Sequence, residues 1–404
     1  MDGDARLNSS FIQRLREYLG LNRNVSVLSF STLGLALGEE LWLAFLPKYL
    51  VALGASGLIV GFFASTKDLL DGLYQYPGGW LADRFGRKSA LTLFTGIAIV
   101  GYVAIAIAPG WEAMFPALVL VMAWKSGAFS VSFTIIGDAL PAGRRGVAFS
   151  VISILQRLPR VIGAPLGGLL IASIGILSGV RAALAVTILL AVVVLISQQR
   201  LYLEPPSARA GGSTGVRTLF AGMPSALKHL LAVECIVRTG EALAASFIVL
   251  YVIDVMGIPP ATYGLLFALQ QAVAISLYIP SGKIADVTGR RPIIALTFLF
   301  FAVFPLAVFV ASSPIVLVAA FVLGGLKEFG EPARKSLIVD MADPERRGST
   351  VGMYYTIRNL SIVPAGILGG FLWQVSPEYP LLAAFAVGLT GVLLFIRLSR
   401  HGFA

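Results

Sequence analysis

Histidine and cysteine are nearly missing from this chain. His229 and His401 are its two histidines, both beside the ends of apolar runs, and Cys235 is its one cysteine. An internal disulfide and a thiolate metal cluster are therefore excluded. A nucleophile–histidine hydrolase buried in lipid would lack its base, and a proton relay through a mid-membrane histidine is ruled out as well. No G-x-x-x-x-G-K-[ST] phosphate loop occurs, which argues against a nucleotide-driven pump. Charge is scarce too. Charged residues make up 13% of the 404, against roughly 25% in soluble domains.

Apolar sequence fills the space instead: 57% of the chain is hydrophobic and its mean hydropathy is +0.85. No soluble core of this length could bury that much, so the chain dissolves in a lipid bilayer. A spanning helix needs about 20 apolar residues. That ruler predicts twelve spans, at about 25–52, 56–82, 89–109, 112–139, 147–173, 179–198, 227–255, 260–285, 291–312, 314–341, 349–373 and 378–399. The net charge of +10 does not mark nucleic-acid binding, because the basic residues collect in alternate connections. Arg84, Arg87 and Lys88 follow span 2, Arg144 and Arg145 follow span 4, and Arg290, Arg291, Arg346 and Arg347 continue the series. The other connections are nearly free of Lys and Arg, with Lys48 and Arg181 as the main exceptions. The positive-inside rule then puts both termini in the cytoplasm, as an even number of spans requires.

The segment "LEPPSARAGGSTGVR" interrupts the apolar pattern with Pro, Gly, Ser and Ala and reads as a linker. The expected division is a cytoplasmic segment at 1–24, a six-helix bundle at 25–199, a cytoplasmic linker at 200–226 and a second six-helix bundle at 227–404. The two bundles are copies of each other. "WKSGAFSVSFTIIGDALPAGRRG" (124–146) returns as "LKEFGEPARKSLIVDMADPERRG" (326–348) without a gap, and "GGWLADRFGRK" (78–88) answers to "SGKIADVTGRR" (281–291). Two similar membrane halves are the layout of a secondary transporter. Glycines recur along the spans, as at Gly163 and Gly167, and pack helices closely within a monomer.

"GGWLADRFGRK" resembles the signature of the major facilitator superfamily, G-x-x-x-D-R-x-G-R-[RK], through Gly79, Asp83, Arg84, Gly86, Arg87 and Lys88. The second copy keeps Gly282, Asp286, Gly289, Arg290 and Arg291, with Val287 in place of the first arginine. The resemblance implies an all-α membrane fold of twelve transmembrane helices in two pseudosymmetric six-helix bundles. It also implies alternating access around a central cavity lined by spans 1, 4, 7 and 10. A gating role follows for Asp83, Arg87 and Asp138, with Asp286, Arg290 and Asp340 as the second set. The run Gly163-Ala164-Pro165-Leu166-Gly167-Gly168 is similar to the efflux marker G-P-x-x-G-G with its proline displaced by one, which leans toward export.

Ionised groups at mid-bilayer cost at least about 2.5–3.5 kcal/mol each, so each needs a partner or a wet cavity. Spans 1 and 2 carry Glu39, Glu40, Lys67, Asp68 and Asp71; spans 4 and 5 carry Lys125, Arg157 and Arg160. The second half has Glu234, Arg238, Glu241, Lys327, Glu328, Glu331 and Arg358. Helical spacing predicts pairs Lys67–Asp71, Glu234–Arg238, Lys327–Glu331 and Arg238–Glu241. Under the repeat Glu241 falls on Glu39 and Lys327 on Lys125, so four charges would ring one site. Arg157 either pairs with Glu39, Asp68 or Asp71 or joins Lys125 and Lys327 in holding an anion. Gln271, Tyr355 and Arg358 complete the candidate lining. A dry, unpaired carboxylate suits proton coupling, and Glu39, Asp68 and Glu241 are the candidates.

These readings converge on a secondary active transporter that moves a small molecule, with proton-coupled antiport and efflux as the leading form. Uptake or exchange of a small organic anion is the alternative; a membrane-embedded enzyme or receptor fits poorly. No cofactor, metal or nucleic acid is expected, and the partners are the substrate, a proton and the lipid bilayer around a monomer.

Overall fold

The computed structural model describes residues 23–127, 145–203, 220, 222–341 and 347–402. The first half contains α1 (Arg23–Glu40), α2 (Gly57–Phe85), α3 (Arg87–Ala106), α4 (Met114–Met122), α5 (Arg145–Ile174) and α6 (Ile176–Leu201). The second contains α7 (Ser225–Leu250), α8 (Pro260–Thr288), α9 (Arg290–Phe309), α10 (Pro314–Leu326 and Glu331–Met341), α11 (Arg347–Val375) and α12 (Tyr379–Gly402). Eight of the described helices are long and apolar enough to cross a membrane by themselves. The others are α2, α4, α10 and α11. Of these, α4 and α10 break at mid-span, and α2 and α11 pack on each other.

Glycine sets the turns. Gly86 alone separates α2 from α3, and Gly289 alone separates α8 from α9, with φ of 87° and 83°. Only a residue without Cβ holds such angles cheaply, which accounts for a glycine in both copies of the motif.

Packing repeats as faithfully as the motifs do. α1 lies against α5 and α6, and α7 lies correspondingly against α11 and α12; α3 packs on α4 and α6, and α9 on α10 and α12. Gly38 brings α1 onto Thr187 of α6, and its counterpart Gly240 brings α7 onto Ala384 and Gly388 of α12. The two exceptions to basic-residue placement are partnered. Arg181 donates to the Ala108 carbonyl at 3.2 Å, and Lys48 pairs with Asp254.

The halves meet through α2–α11 and α5–α8. Both contacts are closest on the face opposite the termini, which carries the starts of α2 and α8. A Cβ on Gly61 would collide with the Gly366 carbonyl and crowd Gly370, and one on Gly264 would collide with Ala164 and Pro165. Ser65 Oγ accepts from the Ile367 N–H at 3.0 Å across the same seam, and the Lys48–Asp254 pair spans the halves there as well. This far face is sealed by backbone, not by side chains that can swing aside. Gly61→Ala is expected to pry the seam open. Spin labels at Ser56 and Pro377, on a Cys235→Ser background, should then read a longer distance than in the parent.

Candidate functional site

Three helices lose their regular hydrogen-bond ladder at comparable depth, and charges stand at each break. α1 ends at Glu40, passes through a 3₁₀ turn at Leu43–Phe45 and resumes at Leu46–Ala52, with Pro47 in its first turn. α4 runs into a π turn at Ala123–Gly127 that carries Lys125. The sequence predicts span 10 as one helix over 314–341, but α10 stops at Leu326 and restarts at Glu331. Lys327, Glu328, Gly330 and Pro332 stand where the ladder fails, and the Gly330 N–H is satisfied by Thr297 Oγ1 at 2.7 Å. Irregular backbone at this depth is tolerated where protein or a wet cavity satisfies it. π turns are frequent at functional sites.

In the first half Glu39 is 6% exposed. The Tyr102 hydroxyl of α3 donates to its Oε1 at 2.6 Å, and Trp42 packs edge-on against the Tyr102 ring. Glu39 attracts Lys125 through space but has no ion pair within 4.0 Å among the described residues. Glu40, about 100° further round the helix, receives Arg160 at 3.1 Å. Lys67 bonds Asp68 at 2.7 Å, where helical spacing predicts Asp71. A neighbouring side chain on the same turn reaches the ammonium without spanning a full turn.

The second half is wired differently. Lys327 Nζ lies 2.7 Å from Glu241 Oε1 on α7, and Arg238 Nη1 lies 2.8 Å from Oε2. The expected Lys327–Glu331 pair does not form, because the break in α10 rotates Lys327 away from the helical face of Glu331. Glu331 instead receives Arg334, Arg238 and Lys335. Behind it Glu234, wholly buried, accepts from Arg334 at 2.5 Å, Arg358 at 3.0 Å and the Tyr354 hydroxyl at 2.5 Å. Arg238 stands 3.9 Å from Glu234, at the edge of pairing. Arg358 also reaches Asn359 and lies over the Tyr355 ring, so both are committed to this network.

Arg157 departs furthest from its expected place. It meets none of Glu39, Asp68 or Asp71; it crosses to the other half, bonding Glu328 at 2.9 Å and covering the Tyr278 ring of α8. The α5 backbone carries it there, because α5 packs on α8. Gln271 is buried with its Oε1 unpartnered. Arg290 bonds Asp340 at 2.5 Å, within the second half. Asp138 lies outside the described residues, as do the side chains of Asp83 and Asp286, while Arg87 is described at the start of α3.

Beside the Glu241–Lys327 pair lies a cavity of about 150 Å³ walled by Tyr263, Phe267, Phe301, Phe304 and Phe321. The rings pack edge to face, Tyr263 on Phe321 and Phe304 on Phe321. Sequence reading did not find this cavity, nor the Tyr102 hydroxyl. A phenylalanine in an apolar span reads as packing, and a single tyrosine in span 3 gives no sign of the acid it will meet.

A sequence profile describing the Major Facilitator Superfamily matches residues 28–238 and again 230–402, one match to each half. The chain is 20% identical over 399 residues to the MFS-type transporter MJ1317 of Methanocaldococcus jannaschii, covering 93% of this chain and 95% of that one. It is 23% identical over 375 residues to the multidrug resistance protein MdtH of Proteus mirabilis, with 88% of each covered. Its fold superposes on the crystal structure of the nucleoside transporter NupG with TM-score 0.73 at 16% identity, over 94% of this chain and 98% of that one. Two six-helix halves joined along α2–α11 and α5–α8, each matching the same profile, place this chain in the Major Facilitator Superfamily: it is an integral membrane transporter and not an enzyme.

Proposed function

We propose that this protein exports a small molecule by alternating access, exchanging it for a proton that Glu39 carries. The observation behind the proposal is the environment of Glu39: a buried carboxyl at a helix break whose bonded partner is a neutral hydroxyl. Tyr102 can donate to the carboxylate or accept from the carboxylic acid, so the bond survives both protonation states. Protonating Glu241 would instead strand Lys327 beside it, and protonating Asp68 would take the bonded carboxylate from Lys67. Glu39 is the one acid of the three that can lose its charge without leaving a bonded cation alone.

The sealed far face fits the export direction. With the termini in the cytoplasm, as the basic residues require, that seal is external and the molecule stands ready to load from inside. Likeness to a protein named for multidrug resistance supports export. So does the run at Gly163–Gly168, which fits against the α1 break on one side and the start of α8 on the other. Alternating access then needs the external seam to part while Arg157 and Glu328 approach or separate on the inner side.

The test is flux from proteoliposomes with an imposed pH gradient, using a ligand first found by thermal shift. Accumulation should follow the gradient and stop when a protonophore collapses it; accumulation indifferent to the gradient would remove the proton from the mechanism. A second expected result concerns the seal. Lys48→Glu places like charges at Asp254 and should slow the return to the externally closed state, cutting turnover, and adding Asp254→Lys should restore it.

A further inference from the structure

The paired site differs between its halves in a way that names a ligand. We infer that the second-half cavity binds a single aromatic ring whose carboxylate takes the place of Glu241 on Lys327. The inference rests on the transport reading above only in calling this ligand a substrate; the binding itself stands on the cavity. A volume of about 150 Å³ admits one benzene-sized ring, and this cavity has that volume, five aromatic walls and a polar edge at Glu241, Gln270 and Lys327. Counted from the matched helix starts Arg87 and Arg290, the place of Tyr102 is taken by Pro305. Pro305 lines the cavity and offers no hydroxyl. Glu241 therefore turns to cations where Glu39 turns to a hydroxyl.

The sign of the ligand's charge follows from who can spare a partner. Glu241 is held twice, by Lys327 and by Arg238, whereas Lys327 has Glu241 as its one carboxylate within 4.0 Å among the described residues. An incoming carboxylate can replace Glu241 on Lys327, and Glu241 remains paired with Arg238. An incoming cation has to displace Lys327 or Arg238 from Glu241 and leave a buried cation less well paired, a costly exchange. Two of the five rings are also already covered. Lys327 already lies over Phe301 and Phe304, and Arg238 lies 4.4 Å over Phe301, so the cation–π positions on these rings are filled from within. The ligand is an aromatic monocarboxylate, not an aromatic amine.

Calorimetric titration of the purified full-length protein with benzoate and with benzylamine tests this directly. Benzoate should bind, and benzylamine should bind at least tenfold more weakly. Lys327→Gln removes the counter-charge and Ala245→Phe places a ring in the cavity from an already exposed position; each should weaken benzoate at least tenfold. Unchanged melting temperatures would exclude misfolding as the cause. Benzylamine binding as tight as benzoate, benzoate binding untouched by both substitutions, or no benzoate binding by a wild-type sample with a normal melting curve would each overturn the inference. Counterflow of labelled benzoate in proteoliposomes then reads the transport step separately. Binding without counterflow would sink transport at this site and leave the ring-and-carboxylate assignment standing.

Discussion

Glu39→Gln should abolish accumulation driven by a pH gradient, to the level of protein-free liposomes, while leaving equilibrium exchange of substrate intact. The amide fills the same volume, and its oxygen can still accept from Tyr102, so folding and cavity shape should survive. What disappears is the O–H bond that a carboxyl, unlike an amide, can make and break. Exchange needs only that the loaded carrier reorient, which a permanently neutral side chain allows. Tyr102→Phe should act less completely: the carboxyl keeps its proton chemistry but loses a buried hydrogen bond, a loss of about 1–3 kcal/mol. Its signature should be a displaced pH profile of transport with coupling retained. Should Glu39→Gln still accumulate substrate against its gradient, the proton travels elsewhere and the hydroxyl-bonded acid is ordinary packing.

How much of this was readable beforehand depends on whether a feature is local in the chain. Span number, the motif turns and the register of the two copies all rest on hydropathy and on glycine at Gly86 and Gly289, which a sequence displays openly. The Arg238–Glu241 pair was also legible, because three residues on one helix are neighbours whatever the fold. Lys327–Glu331 fails on the same rule, because the rule assumes an unbroken helix and α10 breaks between them. Arg157 fails differently. Its partner Glu328 lies in the other half, and nothing short of the α5–α8 packing brings the two together. Lys48 was visible as an exception to the basic-residue pattern, but its partner Asp254 lies in the opposite half and was not. The aromatic cavity was not visible at all, since a void is a property of how five side chains fail to meet.

Glu234→Ala should be the most destabilising single change in the second half, by about 3–5 kcal/mol, the range for removing one partner of a buried ion pair. Glu234 and Arg334 are both wholly buried, so no water replaces what is lost. Arg334 keeps Glu331, but Arg358 keeps Asn359 and the Tyr355 ring with no carboxylate within 4.0 Å among the described residues, and the Tyr354 hydroxyl loses its acceptor. Because these groups tie α7 to α10 and α11, the damage should reach the whole half, and thermal unfolding in detergent should show it as a large drop in melting temperature. Lys48→Ala is the contrasting case. Its pair with Asp254 is partly exposed, so stability should change by less than about 1 kcal/mol even where turnover suffers. Adding Arg358→Leu to Glu234→Ala should recover part of the loss, since the stranded cation and not the missing anion carries most of the penalty. A double substitution as unstable as the sum of its parts would mean the network stabilises through its bonds alone and not by sparing a buried charge from losing its partner.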